Sequence, residues 1–402
     1  MTPTVADIQD KKRLLFVDDE PSILDGLRRS LRPLRDEWDL DFAHDGPEAL
    51  ERLKTRPADL VVSDLRMPGM NGVELLGAVK SRYPSTARFV LSGFADQFMV
   101  LHCAGPAHCF LAKPCAPEDL VHAIRRSFAL RDRLHAHAVQ RFMDSAEDLP
   151  TLPGLYESLM RALQSPDSTM AEIAAIIDHN PGMAAKMLHL VNSAFFVYIE
   201  SIQQAISYLG AEAMSAVALA AALFEPCLDP ERDEFGLQAC YDHSIAVGAT
   251  AGTWISRTFQ HRRLAEESIM AGMTHDIGKL VLMRNRPDGW RETLQAARRR
   301  RLPVHLVEAD VLGVTHADIG ACLLNRWGIA DPIVEAVAYH HHPSGGLSRD
   351  KGSLFAVHVA NALCHKWHEA GADWKSLLDT SYLNAVDPGE SIDDFEAAAG
   401  RS

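Results

Sequence analysis

Five side chains in the first third of the chain have the chemistry of a phosphoryl-transfer site: Asp18, Asp19, Asp64, Ser92 and Lys113. Carboxylates brought together repel unless a cation joins them. An all-oxygen donor set suits Mg2+, which keeps several waters and takes a few carboxylates together with phosphate oxygens. In such a site Asp64 would be a carboxylate nucleophile able to form an acyl phosphate. Mg2+ and Lys113 would stabilise charge on the moving phosphoryl oxygens, and the Ser92 hydroxyl would hydrogen-bond one of them.

A second set lies further along. Of the 19 histidines, 13 fall after residue 150. His243, the adjacent pair His275–Asp276, His316 and the run His340–His341–His342 stand out. Neutral imidazole with carboxylate is a transition-metal donor set suited to Fe, Mn, Zn or Ni. Adjacent His and Asp at a helix end can address one ion or a close pair, and Lys279, three residues on, could reach a metal-bound phosphate. Each histidine alone is most simply a hydrogen-bonded core or surface ring, so the metal reading rests on the set. Arg298–Arg301 could touch an anionic partner, although a run of this kind is more often a solvated helix face.

These residues need elements to position them. Leu14–Val17, Leu40–Ala43, Leu60–Ser63, Phe89–Leu91 and Cys109–Ala112 read as strands. Helical patterns over Ile23–Leu34, Glu48–Lys54, Gly72–Arg82 and, more loosely, Asp96–His102 alternate with them. The alternation predicts a doubly wound α/β domain around a parallel five-stranded sheet, and the continuous apolar runs predict a sheet covered on both faces. Asp18, Asp64, Ser92 and Lys113 then fall at the carboxyl ends of four strands, where open parallel sheets carry their functional groups. A lone strand-end aspartate usually caps the next helix; four such groups in order argue for a site. After Pro117 the pattern turns helical and charged, and is expected to run as far as Met143. From the prolines at 150 and 153 to about Asp379 nearly everything reads as helix, with capping boxes at Thr169/Glu172 and Thr315/Asp318. Asn192 reads as the holder of a helix–helix turn.

Over about residues 12–130 the chain closely resembles the receiver domain of two-component response regulators, a flavodoxin-like fold. The resemblance is carried by Asp18 and Asp19 within Phe16–Pro21, Asp64 within Val61–Gly72, Ser92 within Leu91–Gly93, and Lys113–Pro114. It implies that Asp64 takes phosphate from a histidine kinase or phosphotransfer protein. It also implies that Asp19 and Asp64 hold Mg2+, with Asp18 acting through water and the Arg66 backbone carbonyl as a further ligand. Phe110 would be the switch aromatic. Receivers often pair through their last helix, so the resemblance admits a homodimer.

Over about residues 150–370 the chain resembles the HDOD family, all-helical signalling modules of the HD superfamily of metal-dependent phosphohydrolases. The matching stretches are Asp178–Phe196, Ser201–Gly210, Thr274–Lys279, Thr315–Gly320 with Trp327, and His340–Pro343. The resemblance marks His243, His275, Asp276, His316, His340 and His341 as the metal set. The late aspartate required by an HD site falls at Asn361, a neutral amide. After His342–Pro343 the chain reads Ser344–Gly345–Gly346 and lacks the Gly-Tyr-Pro signature of cyclic di-GMP hydrolases.

Composition is consistent with this organisation. In 402 residues, 47% are apolar and 23% charged, as in ordinary globular chains. The net charge of −14 speaks against general nucleic-acid binding. No run approaches the ~18 apolar residues of a membrane span, and the charged start does not read as a signal peptide. Seven scattered cysteines suggest no disulfide framework, so the cytoplasm is expected. The domain plan is a receiver at 12–130, a helical linker at 131–149, an HDOD output at 150–379 and an acidic, flexible tail at 380–402. The expected function is a response regulator in which Asp64 phosphorylation switches an output that binds a downstream signalling protein. The alternative is a phosphorylation-controlled metal phosphohydrolase acting on a nucleotide or cyclic dinucleotide.

Overall fold

The computed structural model describes residues 11–93, 107–163, 165, 168–195, 199–224, 233–368, 374–387 and 392–399. The chain divides into two units, 1–127 and 128–402.

In the first unit β1 (Lys12–Val17), β2 (Trp38–Ala43), β3 (Leu60–Asp64), β4 (Ala87–Ser92) and β5 (Cys109–Ala112) form one sheet in the order β2-β1-β3-β4-β5. All pairings are parallel. Leu14, Leu15, Phe16, Val61, Val62, Phe89 and Val90 are buried, which is why these strands read as unbroken apolar runs. Local signals place the covering helices. Asp45 accepts from the Glu48 amide at 2.7 Å and starts the helix Gly46–Thr55. Asn71 and Glu74 form a reciprocal capping box that starts Gly72–Arg82. The doubly wound fold expected from the alternation is the one observed; the helix expected at Asp96–His102 lies outside the described residues. Because β1 pairs with both β2 and β3, the strand order reverses beside β1, and Asp18, Asp64 and Lys113 come to the carboxyl edge at that switch.

The regular elements among the described residues of the second unit are all helices. The helix Leu237–Phe259 packs on Arg262–Thr274 and on Ser353–His368, around a core that includes Trp254, Ile255, Ile269, Phe355 and Val359. Thr169 and Glu172 form the expected capping box. Asn192 holds its turn by donating to the Ile199 carbonyl at 2.9 Å and accepting from the Ile199 amide at 2.8 Å. No single helix among the described residues is long and apolar enough to cross a membrane.

Three expectations need correction. The helix after Pro117 does not continue to Met143: it ends at Leu134, Ala136 leaves the helical conformation with ψ at 134°, and a separate helix runs His137–Ser145. Gln140 donates to the Leu134 carbonyl at 2.7 Å, satisfying a helix-end acceptor that an unbroken helix would have used itself. The stretch 131–149 is more than a linker, because Leu134, Val139, Phe142 and Met143 are buried in the second core. The tail expected at 380–402 is also partly packed. Tyr382 and Phe395 are buried, and Phe395 stacks on Trp254 with ring centres 4.5 Å apart, since aromatic area outweighs the acidic setting.

Candidate functional site

At the sheet edge Lys113 is the hub. Its ammonium donates to Asp18 Oδ2 at 2.8 Å and also to Asp64 Oδ1. Asp64 Oδ2 accepts from the Arg66 amide at 2.6 Å, and Asp18 Oδ1 from the Glu20 amide at 3.0 Å. Asp18 and Asp64 are buried, whereas Asp19, at the same strand end, is exposed. Burial raises the Asp64 carboxyl above its ordinary range even against Lys113. Burial also opposes the Lys113 charge, but Asp18 and Asp64 outweigh it and hold the ammonium charged. Three carboxylates against one ammonium leave a surplus of negative charge with oxygen donors only, a set that fits a hard divalent cation. Ser92 ends β4, and its side chain lies outside the described ones. Phe110, on β5, is half-buried against the core of this unit. The Arg66 side chain is exposed, and its backbone borders Asp64.

In the second unit every residue of the expected histidine set comes together. Asp276, His316, His340 and His341 form one ligand-competent group, and His243, His275 and Asp276 another; donor atoms within each lie within 4.8 Å of one another. Asp276 is shared. Its Oδ1 faces His316 Nε2 at 3.1 Å and His340 Nε2 at 3.9 Å. Its Oδ2 faces His275 Nε2 at 3.4 Å and takes Lys279 Nζ at 2.6 Å. His316 Nε2 also lies 3.3 Å from His340 Nε2 and 3.2 Å from His341 Nε2.

In three of these rings, those of His275, His316 and His340, the opposite nitrogen is engaged. Nδ1 of His275 donates to the Gly272 carbonyl and Nδ1 of His340 to the Val337 carbonyl, each at 2.7 Å. His316 Nδ1 meets the buried Glu308 carboxylate at 2.7 Å. This pattern fixes the tautomer and turns Nε2 inward, as metal-ligating histidines are oriented. His275 Nε2 and Asp276 Oδ1 are buried without a hydrogen-bond partner, so the donor set fits a cation between them. Asn361 stands in the cluster and accepts from His243 Nε2 at 2.8 Å. The amide therefore engages His243 where a carboxylate would have supplied another ligand.

Electrostatics follow from burial and crowding. Burial, then the neighbouring His275, push His243 down to about 3; burial pushes His275 down to about 4. His340 and His341 are held neutral for the same reason. Burial alone would raise Asp276, but His275, Lys279 and His316 hold it well below the carboxylate range. His316 is the exception: burial opposes its charge, yet Glu308 and Asp276 lift it to about 9. A cation bound at its Nε2 would replace that proton.

Sequence reasoning missed three members. Glu308 orients His316, His305 stacks on His341 with ring centres 3.8 Å apart, and His365 lies 4.6 Å from the His243 ring. The i, i+3 spacing of His305 and Glu308 on one helix face was the available signal. The close approach that aligns Asp276 with His316 depends on Gly278, where a Cβ would run into the His316 carbonyl and the Gly320 amide. Gly278→Ala is expected to lower unfolding stability by about 1–3 kcal/mol in a urea titration, the usual range for forced overpacking. An unchanged midpoint would show the approach to be slack.

Comparison with known proteins agrees with both halves. The family model of the response regulator receiver domain matches residues 14–125, and that of the HDOD domain matches 149–343. An uncharacterized protein of Treponema pallidum is 26% identical over 223 residues, covering 54% of this chain and 42% of its own length. The hydrogenase transcriptional regulatory protein HoxA of Cupriavidus necator is 28% identical over 176 residues, covering 40% of this chain and 36% of its own length. The chain thus spans less than half the length of these curated relatives. A solved HDOD domain protein of unknown function from Geobacter sulfurreducens matches with a TM-score of 0.53 at 21% identity, covering 67% of this chain and 93% of its own, a likeness of fold. The chain thus carries a response regulator receiver domain followed by an HDOD domain.

Proposed function

We propose that Asp64 is the phosphoacceptor and that its phosphorylation switches the HDOD output. The observation that carries this is a buried Asp64 carboxylate at the carboxyl edge of the sheet, gripped by Lys113 beside Asp18. An Asp64 oxygen attacks phosphorus, the phosphorus–nitrogen bond of a phosphohistidine on the partner kinase or phosphotransfer protein breaks, and the departing imidazole keeps the electron pair and takes up a proton. Lys113 and the Ser92 hydroxyl orient the phosphoryl oxygens and offset their charge. Asp19, Asp64 and the Arg66 carbonyl would hold Mg2+, with Asp18 acting through water; the ion when bound neutralises phosphoryl charge. Phe110 is the switch aromatic in this reading. The protein works in the cytoplasm, where its output engages a downstream signalling protein, with a homodimer formed through the last receiver helix.

The helix Pro117–Leu134 begins in one unit and ends in the other, which suggests the route of coupling. Beryllofluoride bound at Asp64 should change amide hydrogen exchange after residue 150. Exchange altered only before residue 127 would sever the switch from the output.

A second reading is favoured by the shared Asp276: the histidine cluster holds Fe, Mn, Zn or Ni and belongs to a phosphohydrolase of nucleotides or cyclic dinucleotides. His243, His275, Asp276, His316, His340 and His341 would be the ligands. Asn361 weakens the second ligand group, so metal retention without turnover is the expected state. Elemental analysis with a nucleotide hydrolysis panel tests this. Metal-dependent turnover that disappears in His275→Ala would make the enzyme the primary reading.

A further inference from the structure

We propose that Arg133 is a positioning residue through which the phosphorylation state of the receiver reaches the histidine donors of the HDOD unit. The proposal rests on reading that cluster as a metal site. The helix Pro117–Leu134 continues without interruption across the boundary of the two units, and its last turn carries two arginines engaged with helices of the second. Arg131 is buried and faces Asp331, the first residue of the helix Asp331–Tyr339, at 3.5 Å. Arg133 donates from Nε to Asp318 Oδ1 at 2.6 Å, and its guanidinium lies 4.3 Å from the centre of the Tyr339 ring.

Both contacts of Arg133 lead directly to donors. Asp318 accepts the Thr315 hydroxyl through Oδ2 at 2.6 Å, and its amide donates back to Thr315 Oγ1 at 3.2 Å. Thr315 is the N-cap of the helix His316–Arg326, so this pair sets where that helix begins and hence where His316 sits. Tyr339 is the last residue of its own helix, and the next residue is His340. One guanidinium thus touches the supports of two donors whose Nε2 atoms face each other at 3.3 Å. A planar fork bound to a carboxylate and lying over an aromatic ring transmits position better than a point charge does. Metal sites are sensitive to such supports, because ligand orientation is set outside the coordinating atoms. A small shift in the end of the connecting helix would alter the spacing of His316 and His340 before it disturbed the rest of the core.

The test uses the full chain in excess Mg2+, titrated with Co2+, whose visible absorption reports a nitrogen-rich site. Beryllofluoride is present or absent, and Asp64→Asn is the background in which its effect must vanish. In the wild type, beryllofluoride should shift the Co2+ dissociation constant by about fivefold or more, the lower range of ordinary site-to-site coupling. Arg133→Ala should weaken Co2+ binding by about tenfold, as loss of an outer support does, and should abolish the beryllofluoride response. Arg133→Lys, which keeps a cation for Asp318 but loses the flat group over Tyr339, should restore affinity in part. If Arg133→Ala does not fold, Asp318→Asn carries the same expectations. Absence of the Co2+ band in the wild type would refute the metal reading itself. Co2+ binding that ignores beryllofluoride, or a response that survives Arg133→Ala, would overturn the proposal and leave the metal reading standing.

Discussion

Asp64→Asn should reduce phosphoryl uptake from acetyl phosphate to background, and Lys113→Ala should slow it by about a hundredfold, the usual loss when one preorganised charge is removed from a reacting centre. The two substitutions act differently. Asparagine leaves Lys113 bonded to Asp18 but removes the nucleophile. Alanine at 113 leaves the nucleophile but strips both buried carboxylates of their shared cation. The pH dependence follows from burial of Asp64, which raises its carboxyl above the ordinary value of about 4. Uptake should fall with acid at a pH above that value, as the nucleophile becomes protonated. Stability has a definite sign as well. An acid whose folded-state pKa is raised opposes folding once the pH exceeds its unfolded value, so Asp64→Asn should raise the thermal midpoint of the metal-free receiver at pH 7. A lowered midpoint would mean that the carboxylate holds the fold together, against the view of it as a strained functional group.

Asp276→Ala should abolish metal uptake and cost about 3–5 kcal/mol, the range seen when one partner of a buried charge pair is removed. Asp276 neutralises Lys279 at 2.6 Å and faces His316, whose ring is lifted to about 9; without it both cations face each other's field in a buried site. Urea titration and elemental analysis on the same preparations give the two readouts. Loss of metal with unchanged stability would contradict the electrostatic account while leaving the ligand assignment intact. In metal-free wild type, His243, His275 and His305 have values of about 3, 4 and 3, below their unfolded range. Their contribution is complete above about pH 6.5 and lost as pH falls toward those values, costing on the order of 2 kcal/mol per ring at pH 5. His316 runs the other way: its contribution is complete below about 6.5 and lost as pH rises through 9. Metal-free stability should therefore peak near neutrality, and bound metal should flatten the alkaline limb.

The receiver was legible because its signals are local. Buried parallel strands show as apolar runs, and the helix Gly72–Arg82 begins where Asn71 and Glu74 satisfy its first amides. The helix ending at Leu134 was misjudged because no glycine or proline marks the break, which is closed by the Gln140 side chain six residues on. Phe395 looked like part of a loose acidic tail because its partner, Trp254, lies more than a hundred residues earlier. The candidate histidine donors could be named from their motifs. Glu308 left only its i, i+3 spacing from His305 as a signal, since its contact with His316 depends on two helices meeting, and the meeting depends on Gly278 lying against the His316 carbonyl.

The account rests first on Asp64 as the landing place of a phosphoryl group. Incubation of the full chain with acetyl phosphate and Mg2+, followed by intact-mass and peptide mass spectrometry, tests it directly. The expected result is a gain of about 80 daltons, confined to the peptide bearing Asp64 and lost when Mg2+ is chelated beforehand. No gain, or a gain that maps to Asp18, Asp19 or any residue of the second unit, would contradict it.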